Sequence, residues 1–170
     1  MLKTLVARAG FKDLWESAQT GTTNKTEALA AVPAEVSHMH LDALFERPVQ
    51  TRLVELLLSP KDDRRFTSCV LVHGMGGTGK TVTAVAAVQD TSVRRFFSEL
   101  YWLTIGADAV GERILALQSV LYKSITGKSL TSKDKTEHEH HSLLVEAMSE
   151  KDQALMVLDD PWMPEQGHIC

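Results

Sequence analysis

Gly74-Met75-Gly76-Gly77-Thr78-Gly79-Lys80-Thr81 decides the fold of this 170-residue chain. The stretch satisfies G-x-x-x-x-G-K-[ST] in full, the pattern of a loop whose backbone N–H groups wrap around phosphates. Before it, Thr67-Ser68-Cys69-Val70-Leu71-Val72-His73 is short, apolar and partly β-branched, as a buried parallel strand is. After it, residues 82–89 are rich in Ala and Val with no breaker, and suit a helix. Strand, glycine loop and helix together form the context that the motif requires.

The residue types account for the chemistry. Glycine at 74, 76, 77 and 79 permits close backbone approach and positive φ. The N–H groups from Gly74 through Val82, with Met75 and Thr78 between the glycines, face one anion together with the positive end of the helix. Lys80 supplies a mobile point charge for the β and γ phosphates. Thr81 places a hydroxyl in the first helical turn, where it can ligate Mg²⁺. Gly74, Gly76 and Gly79 also satisfy G-x-G-x-x-G, the dinucleotide fingerprint, which expects an acid at the end of the next strand about 20 residues on. Glu99 has that spacing but starts the next apolar run, and Lys80-Thr81 has no role in that reading, so the phosphate loop is preferred.

Ala154-Leu155-Met156-Val157-Leu158-Asp159-Asp160-Pro161-Trp162 reads as a buried strand ending in carboxylates. In open α/β sheets ligands sit at the carboxyl ends of the strands, so Asp159 is the candidate for the Mg²⁺ shell. Asp160 is the candidate base for an attacking water. The alternative is that both are turn residues before Pro161.

The loop and the Leu-Met-Val-Leu-Asp-Asp-Pro-Trp run together resemble the NB-ARC group of STAND signalling NTPases, which includes plant disease-resistance proteins and the apoptosome scaffold. Residues 95–106 look like that family's second strand, and the resemblance covers roughly residues 45 to 162. It implies an α/β P-loop NTPase fold, a doubly wound parallel sheet flanked by helices. It also implies ATP or ADP as ligand with Mg²⁺. Phe45-Glu46-Arg47-Pro48 resembles the family's adenine-contacting segment, with Arg47 matching its arginine, although a solvated arginine fits equally. ATP over GTP rests on the resemblance, since no Asn-Lys-x-Asp pattern occurs.

Members of the family carry a further strand with a sensor residue, a small helical domain and a winged helix beyond the second motif. No such run follows Trp162, so the sequence reads as a C-terminally truncated domain. A parallel sheet lacking a central strand leaves unpaired edge groups, and marginal stability is expected unless another segment completes it.

Composition adds limits. At 44% hydrophobic and 24% charged, with net charge −4, the chain is an ordinary globular domain with no general nucleic-acid surface. No apolar run reaches the length of a membrane span. The faintly signal-like start is broken by Arg8, Lys12 and Asp13, and two cysteines fit a reduced, cytoplasmic setting.

Three parts are expected: a leader with linker over 1–44, the nucleotide domain over 45–162, and an irregular tail over 163–170. Leu2, Leu5, Val6, Phe11, Leu14 and Trp15 are compatible with a short amphipathic helix within residues 1–20 that docks a partner or is the remnant of an effector domain, the alternative being a poorly ordered leader, and Gly21-Thr22-Thr23-Asn24-Lys25 reads as a linker. Further helices are expected from Pro48, over 111–126 and over 136–151, with a strand at 99–105. Glu137-His138-Glu139-His140-His141 resembles a metal cluster, but no second ligand group accompanies it, and a solvated helix start is the simpler reading.

Three functions stay open at this level. One is a nucleotide switch with slow turnover that controls assembly with protein partners or with itself. Another is an NTPase in which Asp160 activates water beside Lys80, with Arg94 and Arg95 the nearest candidate arginines in sequence. The last is an inactive remnant.

Overall fold

The computed structural model describes residues 2–9, 29–41, 47–59, 68–130, 136–151 and 153–162, the first of these as a backbone path. Among these residues, four strands form one sheet: β1 (Leu2–Ala9), β2 (Ser68–Gly74), β3 (Glu99–Thr104) and β4 (Ala154–Asp159). The described helices are α1 (Ala34–Ser37), α2 (Pro48–Leu58), α3 (Lys80–Gln89), α4 (Thr91–Phe96), α5 (Glu112–Thr126) and α6 (Glu137–Ser149). The strand order is β2-β1-β4-β3.

β3 and β4 pair in parallel, from Glu99 opposite Ala154 to Thr104 opposite Asp159. β1 runs antiparallel to both β2 and β4, so β2 points the same way as β3 and β4. The three expected parallel strands are therefore present, with one antiparallel strand between two of them. The expected helix over residues 1–20 is corrected over residues 2–9, where the chain is a strand. Leu-Lys-Thr-Leu-Val-Ala-Arg-Ala fits either period over so short a run. The open edges of β2 and β4 decide the matter, because an extended segment satisfies both at once. Tertiary pairing overrides local periodicity here. Residues 10–28, 42–46, 60–67, 131–135 and 163–170, on which the linker, the Phe45-Glu46 match and the tail reading fall, lie outside the described residues.

Helices cover both faces of β3 and β4. Leu100, Trp102, Leu155 and Val157 face Leu53 and Leu57 of α2, Ala84, Val85, Ala87 and Val88 of α3, and Val93 of α4. The alternate residues Tyr101, Leu103, Met156 and Leu158 face Ile114, Leu121 and Ile125 of α5 and Leu144 and Ala147 of α6. Both sides of β4 are thus apolar and all six of its residues are buried, as a strand covered on both faces requires. Among the described residues, β2 is covered on one side only. Val70 and Val72 pack against the first cluster, whereas Cys69, His73 and Leu71 (45% exposed) lie open on the other side.

Local signals fix the helix starts. Pro48 occupies the first position of α2, and Arg47 N donates to Gln50 Oε1 at 2.9 Å. Asp90 Oδ1 accepts from Ser92 N and Val93 N, which starts α4, a helix that sequence reasoning passes over. Thr136 and Glu139 form a reciprocal capping box at α6. His138 is exposed and His141 half-buried, but His140 is fully buried, which corrects the expectation of a solvated start for that residue. Among the described residues no group of three or more His, Cys, Asp or Glu side chains is placed to hold a metal. Among them, too, no helix is long and apolar enough to cross a membrane.

Candidate functional site

β2 ends at Gly74, and the chain turns through residues 75–79 into α3. Two positions demand glycine. Gly77 has φ +75° and Gly79 φ +85°, a region that costs an L-residue about 1–2 kcal/mol. Gly79 is the cap residue from which α3 begins, and its carbonyl accepts from Thr83 N at 2.8 Å and Thr83 Oγ1 at 2.9 Å. The orphan N–H groups of the first turn of α3 thus open toward the loop.

Lys80 Nζ donates to Met75 O at 2.8 Å and to Gly74 O at 3.3 Å, so the ammonium lies within the curve of the loop. Thr78 Oγ1 donates to Met75 O at 2.9 Å. Met75, Gly76, Gly77 and Thr78 are exposed, with Met75 at 80%, so the rim is open to a ligand from solvent.

The strand-end carboxylate reaches the loop's helix. Thr81 Oγ1 donates to Asp159 Oδ1 at 3.0 Å. Asp159 is only 4% exposed, and its carbonyl accepts from Ile105 N at 2.9 Å. A hydroxyl and a buried carboxylate in contact beside a phosphate loop fit a Mg²⁺ ion. That ion binds through one or two carboxylates plus phosphate oxygens and keeps several waters. Asp160 has φ +58°, rare outside glycine, and its carbonyl accepts from Gly106 N at 3.2 Å. Ile105 and Gly106 therefore hold the backbone of the Asp pair. Sequence reasoning gave them no role, although the glycine that closes the β3 run marked the turn.

Arg47 is brought to the loop by α2, whose first turn it caps. A Cβ added at Gly79 would stand 3.0 Å from Arg47 Nη1. Arg94, in contrast, ties down the chain at Ala30: Arg94 Nε donates to Ala30 O at 2.8 Å, and Ala30 N donates to Arg94 O at 2.9 Å. Loop, Thr81, Asp159 and Arg47 converge. Asp160 follows Asp159 at the same edge of the sheet, half-buried.

At the opposite end of β3, Glu99 accepts from the Tyr101 hydroxyl and pairs with Lys151 Nζ at 3.0 Å. Burial first, and then the Glu99 carboxylate, push the Tyr101 phenol well above its ordinary range.

The NB-ARC domain model matches residues 47–169. The chain is similar to "Putative disease resistance protein RGA1" of Solanum bulbocastanum, 30% identical over 114 residues, which cover 67% of this chain and 11% of that protein. It is also similar to "Disease resistance protein RPM1" of Arabidopsis thaliana, 33% identical over 118 residues, which cover 65% of this chain and 12% of that protein. The chain spans about a tenth of the length of these relatives. No solved structure matches it.

Proposed function

From the premise that the chain belongs to the NB-ARC family, we propose that it binds ADP or ATP with Mg²⁺ and acts as a nucleotide-dependent switch module, with slow or no hydrolysis. The contact between Thr81 and Asp159 at the foot of the phosphate loop is the observation that carries this reading. In it the N–H groups of residues 74–82 cradle the phosphates, and Lys80 exchanges its loop carbonyls for phosphate oxygens. Thr81 and Asp159 hold Mg²⁺, which screens charge on the phosphates. Arg47, against Gly79, contacts the nucleotide from the α2 side.

In this reading the bound nucleotide sets whether the surface associates with protein partners or with a second copy, within a cytoplasmic signalling protein of the disease-resistance type. A fluorescent-ADP titration with Mg²⁺, run beside Lys80→Ala, tests it. The variant is expected to lose about 1–3 kcal/mol of binding, because a charged donor to phosphate is removed. Undiminished affinity in Lys80→Ala, or no affinity in a folded parent, would reject the reading.

One observation favours a second reading, that of an active hydrolase. Asp160 sits in a left-handed conformation beside Asp159, and such conformations cluster at reacting centres. Asp160 would then take a proton from water attacking the γ phosphate, while Lys80 stabilises the charge that develops. Unchanged turnover in Asp160→Ala would dismiss that mechanism.

A further inference from the structure

Arg47 stands against Gly79 on the α2 side of the site, and a second arginine, Arg113, stands on the β3 side. It belongs to the turn that links β3 to α5. Ile105 and Ala109 are fully buried and pin that turn, while Gly106 (φ +81°) and Gly111 (φ +51°) take left-handed conformations that fold it back into α5. Val110 N donates to Asp108 O at 3.0 Å, and Arg113 N donates to Val110 O at 3.1 Å. The backbone is thus fixed, while the Asp108 and Arg113 side chains remain in solvent.

Arg113 Nη1 donates to Asp108 Oδ2 at 2.7 Å. The pair rests on Gly106, where an added Cβ would stand 3.4 Å from Asp108 Oδ1 and 3.7 Å from Arg113 Nη2. Gly106 N in turn donates to Asp160 O at 3.2 Å, and the preceding residue, Asp159, meets Thr81. Gly106 is therefore about one strand spacing, roughly 4.8 Å, from the Asp pair, with the guanidinium against it. Arg113 also lies in the first turn of α5, the positive end of the helix, where a cation is disfavoured. Asp108 offsets that cost only weakly, because both side chains are more than half exposed and an ion pair in water contributes little. A terminal phosphate carries more charge and presents bidentate acceptors to a guanidinium, so it outcompetes Asp108. Exposed side chains change rotamer within nanoseconds, so the exchange is fast.

We propose that Arg113 is a specificity-determining residue that tells ATP from ADP. With ADP bound, the guanidinium stays on Asp108. With ATP bound, it leaves Asp108 and swings past Gly106 to the terminal phosphate at the Asp159–Asp160 edge. This inference rests on the nucleotide-binding reading above and names the group within that site that registers the third phosphate. Asp108 is the competing acceptor, so its charge sets how readily the arginine is released.

Titration calorimetry with Mg²⁺, comparing ADP with the non-hydrolysable β,γ-imido analogue of ATP, tests the assignment. Arg113→Ala is expected to lower affinity for the analogue roughly tenfold, the loss of one charge-assisted hydrogen bond, and to leave ADP affinity unchanged. Arg113→Lys should restore part of the loss, since a point charge replaces the bidentate fork. Asp108→Asn keeps the size and removes the competing charge, so analogue binding should tighten about two- to fivefold, the scale of an exposed ion pair. Equal losses for ADP and analogue in Arg113→Ala would mean that the arginine supports the fold, and no loss for either would mean that it does not reach the phosphate. Both outcomes overturn the assignment. Weaker analogue binding in Asp108→Asn would overturn it too, because Asp108 would then be aiming the arginine and not holding it back. If Arg113→Ala does not fold, Asp108→Asn and Arg113→Lys decide by the same ratio of analogue to ADP affinity. A folded parent that binds neither nucleotide refutes the nucleotide-binding reading, and this inference falls with it; a parent that binds both, with a ratio that Arg113→Ala leaves unmoved, refutes this inference alone.

Discussion

Thr81 Oγ1 and Asp159 Oδ1 meet at 3.0 Å across 78 positions of sequence. One belongs to the first turn after the phosphate loop, the other to the end of a strand buried on both faces. Their contact makes one site of two motifs that the sequence presents far apart. Asp159→Asn keeps the shape and removes the charge, so Mg²⁺-dependent ADP affinity is expected to drop about 10- to 100-fold. ADP binding in EDTA should change little. Isothermal titration with and without Mg²⁺ separates the two, and a parallel loss in both would show that the carboxylate supports the fold and not the ion.

Gly79→Ala combines two costs. The φ of +85° strains any L-residue by about 1–2 kcal/mol, and the new methyl meets Arg47 Nη1 at 3.0 Å. Arg47 is a flexible side chain and can retreat, so strain is expected to dominate. Gly79→Ala should melt several degrees lower than the parent, and Gly79→Ala with Arg47→Ala should recover little of that loss. Full recovery in the double variant would make the arginine contact the main cost.

The elements around the glycine loop are legible in the sequence, because the glycines, the apolar run before them and the acid-ended run at 154–159 each carry a local mark. Thr81 and Asp159, read from separate motifs, are in contact, and Lys80 lies against the loop carbonyls. β1 was misread because its eight residues carry no decisive period, and the edges that recruit it belong to strands some 60 and 150 positions away. α4 was missed because a six-residue helix is specified by the cap at Asp90 more than by periodicity. The burial of His140 is set by the packing of α6 on α5, which no local reading of a histidine-rich stretch reveals.

Gln118 of α5 and His140 of α6 are fully buried, and their side-chain polar atoms have no hydrogen-bond partner among the described residues. An unsatisfied buried amide costs about 1–3 kcal/mol, and an apolar replacement of similar size removes that cost. Gln118→Leu is therefore expected to raise the denaturation midpoint by urea titration. A lowered midpoint would mean that the amide makes a bond to water or to a residue outside those described.

The Tyr101 phenol is buried against the Glu99 carboxylate, and its proton is held more tightly in the folded chain than in the unfolded one. Its contribution is fully present below the ordinary tyrosine value of 10.0. Above that value the unfolded chain releases the proton while the folded chain keeps it. Stability therefore declines as pH climbs toward the raised folded-state value. Chemical denaturation from pH 9 to about 11 should show a shallower decline in Tyr101→Phe than in the parent. Equal slopes would place the alkaline sensitivity elsewhere.

The pairing of β1 also dictates an order of assembly. Its partners Leu5 and Leu158 are about 150 positions apart, so the ladder between them closes a very long loop. On the ribosome the first strand emerges well before the last, at about 5–20 residues per second, and must remain unpaired on that side for many seconds. The centre of this sheet is thus its latest part to form, and its earliest residues are those most in need of protection while they wait.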